Sequence, residues 1–159
     1  MIVVADTSPL NYLIRIGAVD VLRPLYTHVL IPQTVAEELK KEKAPAVVKT
    51  WIAKPPEWLE VRPDPSFDPS LELLDPGEAA ALSLAESLSA DAVLIDDLAG
   101  RTEAERRHLT VTGTLGVLVE AHIAGLLNFD EALDKLRSTN FRISVDVERL
   151  ARRRLSETK

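Results

Sequence analysis

The chain has 159 residues, 46% of them hydrophobic and 28% charged, with no cysteine and a net charge of −6. That length suits one domain over residues 1–159, and the lack of cysteine excludes disulfides, thiolate metal sites and cysteine nucleophiles. The negative charge is the wrong sign for holding nucleic acid by bulk electrostatics, although bound divalent metal can reverse the field locally and a basic partner can complement it.

Ile2-Val3-Val4-Ala5 is a short continuous apolar run, the pattern of a strand buried on both faces. It has no basic flank and is too short for a signal peptide. No later segment is apolar for long enough to span a bilayer. An intracellular, cytoplasmic protein is expected. Ser8 is placed to cap a helix whose first residue is Pro9, with Leu10, Leu13 and Ile14 at helical spacing. A second helix is predicted over Val19 to Leu25, and a second strand over His28 to Ile31, stopped by Pro32. Helices follow over Gln33 to Lys43 and around Val47 to Ala53. Residues 54–70 hold Pro55, Pro56, Pro63, Pro65 and Pro69 and read as loop, apart from a short strand at Leu59-Glu60-Val61.

Gly77 to Leu88 is an alanine-rich helix, and Ala92-Val93-Leu94-Ile95 is a third buried strand ending at Asp96-Asp97. Leu98 to Arg107 is helical, Thr110-Val111 is a brief strand, and helices are expected near 114–124, 129–137 and 146–155. Strands alternating with helices imply an α/β fold with a mostly parallel sheet between helical layers. A C-terminal helix within about 141–159 would pack on it through Val145, Val147, Leu150 and Leu155, its Arg149, Arg152, Arg153 and Arg154 forming a solvated face.

In such sheets the reactive site lies at the carboxyl ends of the strands. Asp6 and the Asp96-Asp97 pair both stand there. With Ser8 as the cap, Asp6 has no structural duty. Asp96 and Asp97 are adjacent anions, costly to keep together without a cation. On the third predicted helix Glu37 falls on the solvated side with Gln33, Lys40 and Lys41, where it can form a capping box with Thr34. Glu38 points to the apolar side, where a carboxylate needs a partner. Asp75-Pro76-Gly77-Glu78 fits a capping box, so spacing alone leaves Glu78 open between structure and function. Oxygen ligands without His or Cys suit Mg²⁺ or Mn²⁺. His28, His108 and His122 lack metal-ligand spacing, and no Ser-His-Asp set or glycine-rich phosphate loop is present.

Four segments in order resemble the motifs of PIN domains: Ile2-Val3-Val4-Ala5-Asp6-Thr7-Ser8-Pro9-Leu10, Ile31-Pro32-Gln33-Thr34-Val35-Ala36-Glu37-Glu38-Leu39, Asp75-Pro76-Gly77-Glu78-Ala79-Ala80-Ala81-Leu82, and Leu94-Ile95-Asp96-Asp97-Leu98-Ala99-Gly100-Arg101. Thr112-Gly113-Thr114-Leu115-Gly116 resembles the G-T-x-G turn of one PIN subfamily. The resemblance implies a five-stranded parallel sheet flanked by helices and an acidic cluster that binds Mg²⁺ or Mn²⁺ and cleaves single-stranded RNA. Carried over, it assigns Asp6, Glu38, Glu78 and Asp97 as catalytic, with Asp6 and Asp97 holding the principal metal and Asp96 close by. Glu38 and Glu78 would orient waters or a second ion. Thr7 or Ser8 would hydrogen-bond a carboxylate or a phosphate, and Arg101 would contact a phosphate or pair with Asp97. Two departures stand out: the third acidic position is Glu where many relatives have Asp, and the usual T-x-D reads Ile95-Asp96-Asp97. The resemblance extends to the toxins of type II toxin–antitoxin pairs, which are often homodimers blocked by a small antitoxin, so a toxin role, an antitoxin partner and a homodimer are expected.

Three other readings compete. A phosphorelay receiver carries its Asp pair near the first strand and a Lys after the last one, where this chain has Thr112-Gly113. A phosphatase with an aspartyl nucleophile wants a second Asp two residues after the first, where Ser8 stands. A PIN fold kept as a protein-binding module, without useful activity, has the same sequence pattern as a nuclease of narrow specificity.

Overall fold

The computed structural model describes residues 1–158. Among them, five parallel strands form one sheet: β1 (Ile2–Ala5), β2 (His28–Pro32), β3 (Leu59–Arg62), β4 (Ala92–Leu94) and β5 (Val111–Thr112), in the order β3-β2-β1-β4-β5. β1 is central. Its Val3 stands opposite Val29 of β2 on one side and Ala92 of β4 on the other. Val3, Val4 and Ala5 are wholly buried. A strand covered on both faces cannot alternate polar with apolar residues, which is why this segment reads as a continuous apolar run.

Successive side chains leave β1 on opposite faces, and each face has its own core. Val3 and Ala5 join Leu10 and Leu13 of α1 (Thr7–Arg15), Val35 and Leu39 of α3 (Gln33–Lys40), and Leu118 of α7 (Thr114–Ile123). Val4 joins Val93 and Ile95, Leu82 and Ala85 of α5 (Pro76–Ser87), and Ala104 of α6 (Leu98–Arg106). The result is the three-layer α/β architecture expected from the alternation of elements. Each fully buried leucine or valine contributes about 1.5–3 kcal/mol against its exposed state.

The chain runs outward from β1 to β2 and β3, then crosses back to β4 and β5. The strand order therefore reverses between β1 and β4, and a crevice opens beyond their carboxyl ends at such a switch point.

Several boundaries differ from the sequence expectations. α1 begins at Thr7, so Ser8 lies inside its first turn and the capping position falls to Asp6. The helix expected over Val19 to Leu25 is a 3₁₀ turn, Val19–Val21, followed by the short α2 (Leu22–Tyr26). Pro32 closes β2 as its last residue, because a parallel strand can end on a residue without an N–H donor. α3 ends at Lys40, three residues early, and α4 spans Ala46–Ala53. The Thr34–Glu37 capping box does not form. Asp64, from the proline-rich loop, instead accepts the Thr34 amide at 3.0 Å and the Thr34 hydroxyl.

α8 (Phe129–Arg137) and α9 (Val145–Glu157) follow α7. α9 docks on α7 and α8 through Ala151 and Leu155 and through the pairs Arg154–Glu120 and Arg137–Glu148. Val145, Val147 and Leu150, expected to supply that packing, are exposed. Among the described residues no helix is long and apolar enough to cross a membrane.

Candidate metal centre

Asp6 leaves the end of β1 into the crevice. Its amide donates to the Leu94 carbonyl of β4 at 2.9 Å, which carries the β1–β4 pairing one residue past the strand and locks the Asp6 backbone. Although Asp6 occupies the N-cap position of α1, its carboxylate makes no capping hydrogen bond. It is 5% exposed. Burial, joined by the charges of Asp75, Glu38 and Asp96 and opposed by a backbone hydrogen bond at Thr7, pushes its carboxyl up to about 7.

Glu38 comes from α3, half-buried on the side that helical periodicity indicates, while Glu37 is exposed. Thr7 donates its hydroxyl to Glu38 Oε1 at 2.9 Å, joining α1 to α3 across the crevice. Burial raises the Glu38 carboxyl; the Thr7 hydrogen bond opposes this and Asp75 adds to it.

Asp75 completes the group. It caps α5, with Oδ1 accepting the Glu78 amide at 2.9 Å. One carboxylate oxygen from each of Asp6, Glu38 and Asp75 lies within 4.8 Å of the other two. The capping role read from the sequence is real, and the same side chain also faces Asp6 and Glu38. The signal for Asp75 in the sequence was its place at the head of the third motif segment.

Glu78, in the first turn of α5, is 5% exposed. Burial comes first, then a hydrogen bond to Asp75 that requires Glu78 to keep its proton, then the charges of Asp75, Asp6 and Asp97; together they push it up to about 8. Gly100 of α6 makes room for it, since a Cβ there would stand 3.1 Å from Glu78 Oε2.

The adjacent aspartates after β4 have separate duties. Asp96 accepts three hydrogen bonds, from the Thr114 amide (2.6 Å), the Thr114 hydroxyl (2.7 Å) and the Ser8 hydroxyl (2.9 Å). It thereby ties α1 and α7 to the end of β4. Ser8 serves Asp96 rather than capping its own helix. Asp97 is exposed and caps α6 through the Ala99 amide at 3.2 Å. It lies outside the Asp6–Glu38–Asp75 group, but its charge reaches Glu78. Arg101 forms no ion pair with Asp97. Its guanidinium lies instead over Gly113, where a Cβ would meet Nη1 at 2.7 Å and Asp96 Oδ1 at 3.0 Å.

The residues fit a divalent cation. Three carboxylates converge, Asp6 and Glu78 hold their protons above the ordinary carboxylate range, and no Lys or Arg is ion-paired to any of Asp6, Glu38, Asp75 or Glu78 among the described residues. An all-oxygen set of this kind suits a hard ion such as Mg²⁺ or Mn²⁺. His122 is a packing residue, its Nδ1 accepting the Phe129 amide at 3.0 Å.

The PIN-domain family model matches residues 2–157. No curated protein and no solved structure matches the chain. With the match running from β1 to the last turn of α9, and the acidic cluster standing at the strand ends where the four resembling motifs meet, the chain belongs to the PIN-domain family.

Proposed function

We propose that the chain is a metal-dependent endoribonuclease that hydrolyses phosphodiester bonds of single-stranded RNA with Mg²⁺ or Mn²⁺, and that it is the toxin of a type II toxin–antitoxin pair. Membership of the PIN family supports the nuclease class, since PIN domains are in general metal-dependent nucleases. The observation that carries the reading is the convergence of Asp6, Glu38 and Asp75 at the β1–β4 switch point.

In this reading Asp6, Glu38 and Asp75 hold the ion, and Asp97 approaches from α6 on the Glu78 side. A bound divalent ion supplies Lewis-acid stabilisation of the charge on the phosphoryl oxygens and makes water a better nucleophile at neutral pH. Thr7 fixes the Glu38 carboxylate, and Asp75 fixes the start of α5 through the Glu78 amide. Glu78, buried in the first turn of α5 beside Asp75, is placed to exchange a proton with water at the cluster. The toxin assignment rests on the family and on charge: a net −6 surface suits a small antitoxin that brings Lys or Arg to the acidic crevice. A cytoplasmic homodimer of single-domain chains belongs to the same proposal.

Purified protein is incubated with a mixed single-stranded RNA pool in Mn²⁺ or in EDTA, beside Asp6→Asn and Asp97→Asn. Metal-dependent cleavage lost in both variants is the expected result. Cleavage that persists in EDTA and in both variants would overturn the mechanism. No cleavage, together with no Mn²⁺-induced rise in melting temperature, would favour a PIN fold serving as a binding module.

A further inference from the structure

A second concave site borders the acidic crevice. A cleft of about 290 Å³ opens between the start of α7 and the near face of α9, with Asp96 in its wall. Arg101, Arg142 and Arg154 line it. Arg154 is neutralised by Glu120. Arg101 and Arg142 take part in no ion pair and no side-chain hydrogen bond among the described residues, whereas every other arginine from Arg106 to Arg154 is paired with a carboxylate. Arg101 is half-buried. A guanidinium removed from water without a partner is costly unless an anion completes it. Arg101 and Arg142, unpaired and set against Asp96 as the one carboxylate of the lining, make the cleft locally positive in a chain of net charge −6.

Apolar side chains line the same cleft. Phe141, packed edge-on against Tyr12 with ring centroids 4.8 Å apart, lines the cleft with Val147 and Leu150, which α9 leaves exposed. Arginines and apolar side chains together in one cleft suit the two parts of a nucleotide, phosphate and base. The cleft also connects with the acidic site: Asp96 lines it, while Asp96 accepts from Ser8 of α1 and its charge is felt at Asp6.

We propose that this cleft is a subsite for the RNA strand, in which Arg101 and Arg142 take backbone phosphate flanking the phosphodiester held at the acidic cluster and the Phe141–Val147–Leu150 wall receives a base. The proposal rests on the nuclease reading and extends it to the path of the substrate.

The test is fluorescence anisotropy of a labelled twelve-residue single-stranded RNA with the full chain carrying Asp6→Asn, which blocks cleavage, across a series of salt concentrations in Mg²⁺. Adding Arg101→Gln and Arg142→Gln should weaken binding at least tenfold near 0.1 M salt. It should also flatten the slope of log affinity against log salt by about 1.4, since a single strand contributes about 0.7 per phosphate contact. Arg142→Gln alone, at an exposed position, should give about half the change in slope. The double lysine variant should restore the slope, and Arg153→Gln, whose side chain pairs with Glu157, should change nothing. Unchanged affinity and slope in the double glutamine variant, while the wild-type chain still cuts RNA in Mn²⁺, would overturn the subsite and leave the nuclease reading standing. A wild-type chain that neither binds nor cuts RNA would overturn both. Loss of binding to a polyglutamate peptide without loss of RNA binding would make the cleft a protein-docking face and overturn the proposal.

Discussion

Gly77 and Glu38 are in contact across the crevice in a way that only glycine permits: a Cβ on Gly77 would overlap Glu38 Oε1 and stand 3.1 Å from Asp6 Oδ1. The second residue of α5 is therefore part of the acidic site through what it lacks. Gly77→Ala should separate stability from metal binding. Alanine favours a helix over glycine by about 1 kcal/mol, so the melting temperature of the metal-free variant should hold or rise slightly. Glu38 must rotate away, and Mn²⁺ affinity by calorimetric titration should fall about 10- to 100-fold. Unchanged Mn²⁺ affinity would show that Glu38 is not a ligand in its present orientation.

Thr7→Val removes the hydroxyl that Glu38 Oε1 accepts at 2.9 Å. The expected loss is about tenfold in Mn²⁺ affinity, with a stability change of about 1 kcal/mol or less for one half-buried hydrogen bond. Thr7→Ser should restore the affinity. Equal losses in the serine and valine variants would assign Thr7 a packing role instead.

Asp96 and Asp97 are neighbours with predicted phenotypes of different kinds. Asp96→Ala leaves the Thr114 amide and hydroxyl and the Ser8 hydroxyl without their shared acceptor. It should cost about 2–4 kcal/mol in denaturant unfolding, given about 1.5–3 kcal/mol for a hydrogen bond to a charged group. Asp97→Asn retains a good capping residue on α6 and should stay within about 0.5 kcal/mol of wild type. Cleavage should nevertheless be lost in Asp97→Asn. A stable Asp96→Ala variant with lost metal binding would reverse these assignments.

The acidic cluster sets a pH dependence on the metal-free protein. The folded-state values of Asp6, about 7, and Glu78, about 8, lie above the about 4 of unfolded carboxyls. Below pH 4 both states are protonated and these groups contribute nothing. Between about 4 and 7 for Asp6, and about 4 and 8 for Glu78, the folded chain binds more protons than the unfolded chain. Stability therefore falls as pH rises through that window and levels off above it. Metal-free protein should melt lower at pH 8 than at pH 5.5, and Asp6→Asn should remove part of the difference. Mn²⁺ at 100 times its dissociation constant should return about 2.7 kcal/mol at pH 8. A flat profile in EDTA would mean that the carboxyls are not destabilised in the fold.

Much of this molecule is written in local pattern. Continuous apolar runs marked β1, β2 and β4, because strands covered on both faces leave no position for a polar residue. The helical period of α3 put Glu38 inward and Glu37 outward, and the carboxyl ends of β1 and β4 singled out Asp6 and the Asp96-Asp97 pair. Local reasoning failed where a distant residue supplied the partner. Ser8 had the chemistry of a helix cap, yet it reaches Asp96, 88 positions away. Thr34 found its acceptor in Asp64 of the proline-rich loop rather than in Glu37. Of the two readings of Arg101, the pair with Asp97 does not form, and the guanidinium lies over Gly113.

The sequence by itself determined the buried strands of the sheet and which acidic residues stand at their ends, since periodicity and apolar content act over a few neighbours, but it did not tell which apolar residues of α9 pack. Tertiary structure alone decided which carboxylates share a site. The β3-β2-β1-β4-β5 order brings α3 and the start of α5 to the end of β1. It joins Asp75 to Asp6 and Glu38 and gives Asp96 to the α1 and α7 hydroxyls. Convergence of charge depends on distances across the sheet, and no spacing along the chain encodes them.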